Sequence, residues 1–203
     1  MLYLVSPSTP ILRDLIRAGR FGAITTPATG YRVGGLPAWA ADNACFGTGY
    51  PGDDRFVAWL ERMTPHAGQC LFAVAPDVVG DAAATLERSR PFLPVIRAMG
   101  YPAAFVFQNG QEHLPIPWDE FDVGFIGGDT TWKLGIAAAQ LTREALDRGK
   151  RMHAGRVNGG PRFAYLRGLG VHTADGKCVN VAPDKNVGRV ARWYARPVQG
   201  VLL

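Results

Sequence analysis

Cysteine is scarce. Cys45, Cys70 and Cys178 are the three in 203 residues, an odd number with no CxxC pair. That argues against a disulfide framework and a structural zinc site, and it fits a reducing cytoplasm. Long apolar runs are missing as well. None approaches the ~20 residues that span a bilayer, which excludes an integral membrane protein. The opening segment, Met1-Leu2-Tyr3-Leu4-Val5-Ser6-Pro7, lacks a basic n-region and reads as a first strand rather than a signal peptide. No GxGxxG follows it, so dinucleotide binding has little support. Lysine is rare, 4 residues against 18 arginines. None stands at the end of a predicted strand, which argues against Schiff-base chemistry. No linker, low-complexity tract or repeat divides the chain, and residues 1–203 are expected to form a single domain.

What is present is material for a core: 47% hydrophobic and 19% charged residues, too apolar for a disordered chain. The net charge of +5 is uneven. Residues 1–142 carry 10 Lys/Arg against 13 Asp/Glu, and residues 143–203 carry 12 against 4. This polarity points either to a polyanionic partner near the C-terminal part or to a basic solvated surface in an arginine-rich proteome.

Short apolar runs alternate with helical stretches. Strands are expected at Leu2–Val5, Gly22–Thr25, Cys70–Ala75, Ala103–Phe107, Val123–Ile126, Arg151–Ala154 and Gly170–Thr173, with a weaker one near Ala41–Phe46. Their uniform apolarity reads as buried parallel strands. Helices are expected at Ile11–Ala18, Asp54–Met63, Asp81–Met99 (broken or kinked at Pro91 and Pro94), Thr131–Arg148, Arg162–Leu169 and Asn186–Ala195. Such alternation predicts an α/β chain, a compact (β/α)8 TIM barrel, regular or irregular, with a doubly wound open sheet as the alternative.

In a parallel barrel, chemistry sits past the C-terminal strand ends. Those ends carry Asp42-Asn43-Ala44-Cys45-Phe46, Asp77, Gln108-Asn109-Gly110, Gly127-Gly128-Asp129, His153 with Gly155-Arg156, and Asp175. Each has a plain alternative. Asp42, Asp77 and Asp175 suit helix caps or turns, Gln108-Asn109-Gly110 suits a turn, and His153 and Phe46 suit core packing. Gly127-Gly128 suits a tight loop or a phosphate cradle at a helix start. The carboxylates lack a histidine at metal-site spacing, so no catalytic metal is expected.

Taken in order, these segments resemble the tRNA-guanine transglycosylase superfamily over residues 40–178. Asp42-Asn43-Ala44-Cys45-Phe46 is similar to the family's Asp-Ser-Gly-Gly-aromatic motif, and Asp77 to its base-reading aspartate. Phe107-Gln108-Asn109-Gly110 is similar to Val-Gln-Gly-Gly, and Phe125-Ile126-Gly127-Gly128 to Ala-Ile-Gly-Gly. His153-Ala154-Gly155-Arg156-Val157 occupies the place of a Met-Gly-Val-Gly turn. Gly170-Val171-His172-Thr173-Ala174-Asp175 is similar to Gly-Ile-Asp-x-Phe-Asp, whose last aspartate is the nucleophile. Asn43 replaces serine and Ala44-Cys45 replaces Gly-Gly. The Cys-x-Cys-x2-Cys zinc subdomain of the tRNA enzymes has no counterpart, which favours the phage and bacterial relatives that insert 7-deazaguanine bases into DNA.

The resemblance implies exchange of guanine in DNA for a 7-deazaguanine such as preQ0 through a covalent glycosyl-aspartate, in the manner of a retaining glycosidase. Asp175 would be the nucleophile and Asp42 the proton carrier. Phe46 would stack on the base, Asp77 would accept from its N1–H and amino group, Gln108 and the Gly127 and Gly128 amides would address its carbonyl, and His153 belongs to the same base-binding set. The guanine must be flipped from its duplex. Arg156, Arg162, Lys177, Lys185, Arg189 and Arg192 would meet phosphates, and Trp132 and Trp193 would be available for stacking. The partners expected are duplex DNA and a free 7-deazaguanine base, with no membrane and no cofactor; a second copy of the chain is one way to complete the footprint. The same reaction on tRNA, a non-catalytic nucleic-acid-binding barrel, and an unrelated barrel enzyme acting on a small phosphorylated molecule are the alternatives.

Overall fold

Period-two alternation decides what fills the centre of the molecule. In a computed structural model describing residues 1–198, eight parallel strands run in sequence order: β1 (Leu2–Val5), β2 (Gly22–Thr25), β3 (Trp39–Ala41), β4 (Cys70–Val74), β5 (Ala103–Phe107), β6 (Val123–Ile126), β7 (Arg151–Ala154) and β8 (Thr173–Asp175). Each bonds to the next. The last returns to the first, with Leu2, Tyr3 and Leu4 opposite Thr173, Ala174 and Asp175. This closure makes the protein an α/β barrel of the (β/α)8 type and removes the open-sheet alternative.

Leu4, Ala40, Phe72, Val74, Ala104, Val106, Val123 and Phe125 form one buried cluster inside the barrel. The alternate residues, among them Tyr3, Val5, Ala73, Phe105 and Phe107, form the larger cluster under the helices. Small residues let the short strands close tightly. A Cβ at Gly124 would lie 2.6 Å from Met152 Sδ, and one at Gly127 2.6 Å from Val106 Cγ1.

The outer layer comprises α1 (Pro10–Arg17), α2 (Asp53–Met63), α3 (Ala82–Ser89), α4 (Phe92–Ala98), α5 (Thr130–Lys133), α6 (Ile136–Asp147), α7 (Gly160–Gly168), α8 (Cys178–Val181) and α9 (Pro183–Tyr194). Side chains cap three of them: Thr9 accepts from Leu12 N–H, Asp81 from Ala84 N–H and Asp129 from Trp132 N–H. No helix joins β2 to β3, so the barrel is irregular there. No helix among the described residues is long and apolar enough to cross a membrane.

Several boundaries differ from expectation. The Asp81–Met99 helix divides before Pro91, and Pro94 falls in the first turn of α4, where a missing N–H costs nothing. The Thr131–Arg148 helix divides at Leu134-Gly135, and Gly135 opens α6. The third strand is Trp39–Ala41 rather than Ala41–Phe46, so the Asp42–Phe46 segment is a turn beyond it. The last strand is Thr173–Asp175 rather than Gly170–Thr173, because Gly170, with φ 89°, still belongs to the turn after α7.

Phe72 is fully buried inside the barrel, with its ring 4.8 Å from that of His153 and 6.4 Å from that of Phe125. Replacing it with alanine is expected to cost about 3–5 kcal/mol and to lower Tm by on the order of 10 °C, read by calorimetry.

Candidate active site

The alternation that points Ala40 and Thr173 into the barrel also carries Asp42 and Asp175, two positions further on, into its C-terminal mouth. A cavity of about 640 Å³ opens there. Ile24, Val74, Val106 and Phe125 make its apolar walls, and Asp42, Asp77 and Asp175 all line it. Phe46, 58% exposed, stands at the rim with the Arg156 guanidinium 4.2 Å above its ring. The structure therefore brings together Asp42, Phe46, Asp77, Gln108, Gly127, Arg156, Asp175 and Lys177 around one slot.

Asp175 is held from two sides. His153, wholly buried between Phe72 and Phe125, places Nε2 2.9 Å from Asp175 Oδ2, and its Nδ1 lies 2.8 Å from Thr173 Oγ1. The carboxylate accepts the Nε2 proton, which leaves Nδ1 to accept from the threonine hydroxyl. Burial lowers the imidazole pKa against the pull of Asp175, so the ring is neutral. From the other side, Arg156 N–H donates to Asp175 Oδ1 at 3.2 Å.

Asp42 accepts from Ala44 N–H at 2.7 Å. Burial first, and then the charge of Asp175, raise its pKa to about 7. The residues whose backbone N–H groups donate to these two carboxylates share a property. Ala44 (φ 63°) and Arg156 (φ 60°) are the two non-glycine residues with positive φ among those described. That conformation costs a side-chain-bearing residue of order 1–2 kcal/mol. Glycine adopts this conformation freely.

Asp77 forms the third corner. Asn43 Nδ2 donates to Oδ1 at 2.9 Å and Gln108 Nε2 to Oδ2 at 2.7 Å. Burial raises its pKa, and these two donors oppose the rise. A carboxylate has about four acceptor positions, so these two side-chain donors do not exhaust its capacity.

These bonds fix where several of the expected site residues point. Gln108 Oε1 accepts from Gly80 N–H and Gly128 N–H while one N–H of its amide donates to Asp77, so Gln108 clamps Asp77 from the wall of the slot. Gly127 N–H is spent on Phe107 O and Gly128 N–H on Gln108, so neither amide is available to a base or a phosphate. His153 lies beneath the slot and orients Asp175 without reaching a base. Trp193 is buried against Tyr3 and Phe163 and offers no face for stacking, whereas Trp132 is half-buried and donates Nε1 to Glu112 Oε2 at 2.9 Å.

The basic residues divide. Arg156 and Lys177 line the slot, whereas Arg189 and Arg192 line a second hollow at the start of α7. Arg162 and Lys185 are exposed and line neither. No lysine stands at the end of a strand, but two come near the mouth: Lys177, two residues past β8, and Lys133. Lys133, 5% exposed, folds back across α5 and donates to Gly155 O. Burial, and then Arg156, lower its pKa to about 8. It lies behind Gly155 and does not line the slot. A lone lysine just before Leu134 was the available signal, together with Asn43, whose clamp on Asp77 was not anticipated.

Fold and mouth define a closed parallel α/β barrel whose rim gathers three carboxylates in an apolar slot. No protein-family model matches the chain, and no curated protein matches it. Among solved structures it is similar to the carboxyl transferase domain of Rhizobium etli pyruvate carboxylase with 3-hydroxypyruvate (12% identity, TM-score 0.49, 96% of this chain and 46% of that one). It is similar also to Klebsiella pneumoniae BlrP1 in a manganese/cy-diGMP complex (20% identity, TM-score 0.44, 74% and 40%), and to the Amycolatopsis orientalis BexX/CysO complex (13% identity, TM-score 0.38, 100% and 84%). The chain spans less than half the length of the first two. At such scores these likenesses say nothing of activity.

The raised Asp42 pKa makes a stability prediction. Folding favours the protonated carboxyl, so below about pH 4 there is no penalty, and between pH 4 and about 7 the unfolded chain ionises first and stability falls as pH rises. Asp42→Asn is therefore expected to raise Tm at pH 8 by on the order of 5 °C, a gain that vanishes toward pH 4 in a thermal-unfolding series.

Proposed function

We propose that this protein is a base-exchange transglycosylase that replaces guanine in DNA with a 7-deazaguanine. The observation that carries the reading is the pairing of Asp42 and Asp175 across one apolar slot, each held by a backbone N–H from a strained residue. The motif resemblance supplies the substrate class.

The residues divide the work. Asp175 attacks the sugar C1′, and the C1′–N9 bond breaks with its electron pair leaving on the base. Asp42, protonated up to about pH 7, passes its proton to the departing guanine. The incoming base then gives its N9 proton to the Asp42 carboxylate. Its N9 attacks C1′ and releases Asp175. The remaining acceptor capacity of Asp77 suits the adjacent N1–H and amino donors of a guanine-like edge, and adenine offers no such pair. Phe46, backed by Arg156, suits stacking on the base. His153 acts through Asp175 as a positioning residue. The apolar walls shield the intermediate from water, which would otherwise leave an abasic site.

Incubation of the purified protein with duplex DNA and labelled preQ0 tests the reading. Label is expected to enter DNA, with Asp175→Ala lowering the rate by at least about 10³-fold. The wild-type rate should fall as pH rises through about 7, a limb that Asp42→Asn removes along with most of the activity. Incorporation into tRNA but not DNA would move the substrate to tRNA. Undiminished incorporation by Asp175→Ala would overturn the nucleophile.

A further inference from the structure

The hollow at the start of α7 is built differently from the catalytic slot. Gly159, Gly160 and Pro161 form its floor, and Arg189, Arg192, Trp193 and Arg196 its wall. Trp193 is 4% exposed and its indole packs 5.7 Å from Tyr3 and 5.8 Å from Phe163, ring centre to ring centre. Such a buried indole normally finds an acceptor for its N–H. This one has none among the described residues, and its nitrogen edge turns to the hollow. A Cβ on Gly160 would lie 3.2 Å from Trp193 Nε1 and 3.1 Å from Arg196 Nε, so glycine allows both donors to approach the helix start.

The surroundings have one sign. Gly159 provides no side-chain cap, and no hydrogen bond among the described residues engages the N–H groups of Gly160 or Arg162. Arg189, Arg192 and Arg196 have no carboxylate partner among the described residues, and no acidic side chain lines the hollow. Arg167 fixes the segment by donating to Tyr194 O and Arg196 O. A solvated basic helix face would account for the arginines. It does not explain why a side chain only 4% exposed turns its one polar atom, unpaired among the described residues, into the hollow.

We propose that this hollow binds a single phosphate group. A tetrahedral oxyanion presents acceptors in the directions of the indole N–H, the guanidinium forks and the α7 amides, and its charge matches the arginines and the helix start. The site does not depend on the base-exchange reading: a backbone phosphodiester of a polynucleotide and a phosphate monoester of a small molecule share this chemistry.

Nitrogen-15-labelled full-length protein provides the test, because each of its five tryptophans gives one indole N–H resonance. The Trp193 signal is assigned by its loss in Trp193→Phe. Inorganic phosphate, added against chloride at constant ionic strength, is expected to move that signal saturably and leave the other four in place. Arg192→Gln combined with Arg196→Gln is expected to weaken binding about tenfold or more, the unmoved indole signals reporting an intact fold. Thymidylyl-thymidine and glycerol 3-phosphate then separate the sources. Tighter binding of the first assigns the site to a nucleic-acid backbone, and tighter binding of the second to a small phosphorylated ligand. If none of the three phosphates shifts the Trp193 signal beyond chloride, or the double variant binds them unchanged, the site is overturned. The base-exchange assay is scored separately, so failure of one reading leaves the other standing.

Discussion

The pairing of β8 with β1 is the constraint on which the mouth of this barrel depends. It sets Asp175 beside Leu4 and fixes the inward parity of β8. A slip of one residue would turn Asp175 toward the helices and Ala174 into the slot. The same alternation runs through β3, where Ala40 faces the interior and Asp42 follows on the same side. Two carboxylates far apart in the chain thus share one small volume, where burial first and then the charge of Asp175 oppose the ionisation of Asp42.

Backbone strain then holds the two acids in place. Ala44 and Arg156 adopt a conformation that side-chain-bearing residues avoid, and each directs its N–H to one of the two acids. His153 adds a second donor to Asp175 from the barrel floor, while Asn43 and Gln108 do the same for Asp77. Polar groups in this interior are therefore paired in a chain of donors that ends at the carboxylates. A barrel kept only for its stability would fill such positions with apolar side chains, as β1, β4 and β5 do.

The buried strands were legible because their uniform apolarity is dictated by helices on one face and a packed interior on the other. The last strand was not, since Gly170-Val171 is apolar like a strand, and the register comes from a partner at the far end of the chain. The Ala41–Phe46 segment reads as a strand, but the strand ends at Ala41. The Asp42 and Asn43 side chains fold back to accept from Ala44 and Cys45 N–H, a turn chemistry that hydrophobic periodicity does not record. At the site, the residue types were readable but not their direction. His153 carries groups suited to a base, but both ring nitrogens are engaged by Asp175 and Thr173, and Gln108 gives one amide N–H to Asp77. Lys133 escaped notice because a single turn of helix, α5, returns it to the barrel from five positions beyond Gly128.

The central claim is that Asp175 forms a bond to a sugar carbon while Asp42 moves the proton. The most direct measurement is acid quenching of the protein during turnover on a guanine-containing duplex, followed by peptide mass spectrometry. The account predicts a deoxyribosyl-DNA adduct on the peptide holding Asp175. An adduct on Asp42 instead, or continued base exchange with Asp175 never modified, would contradict it.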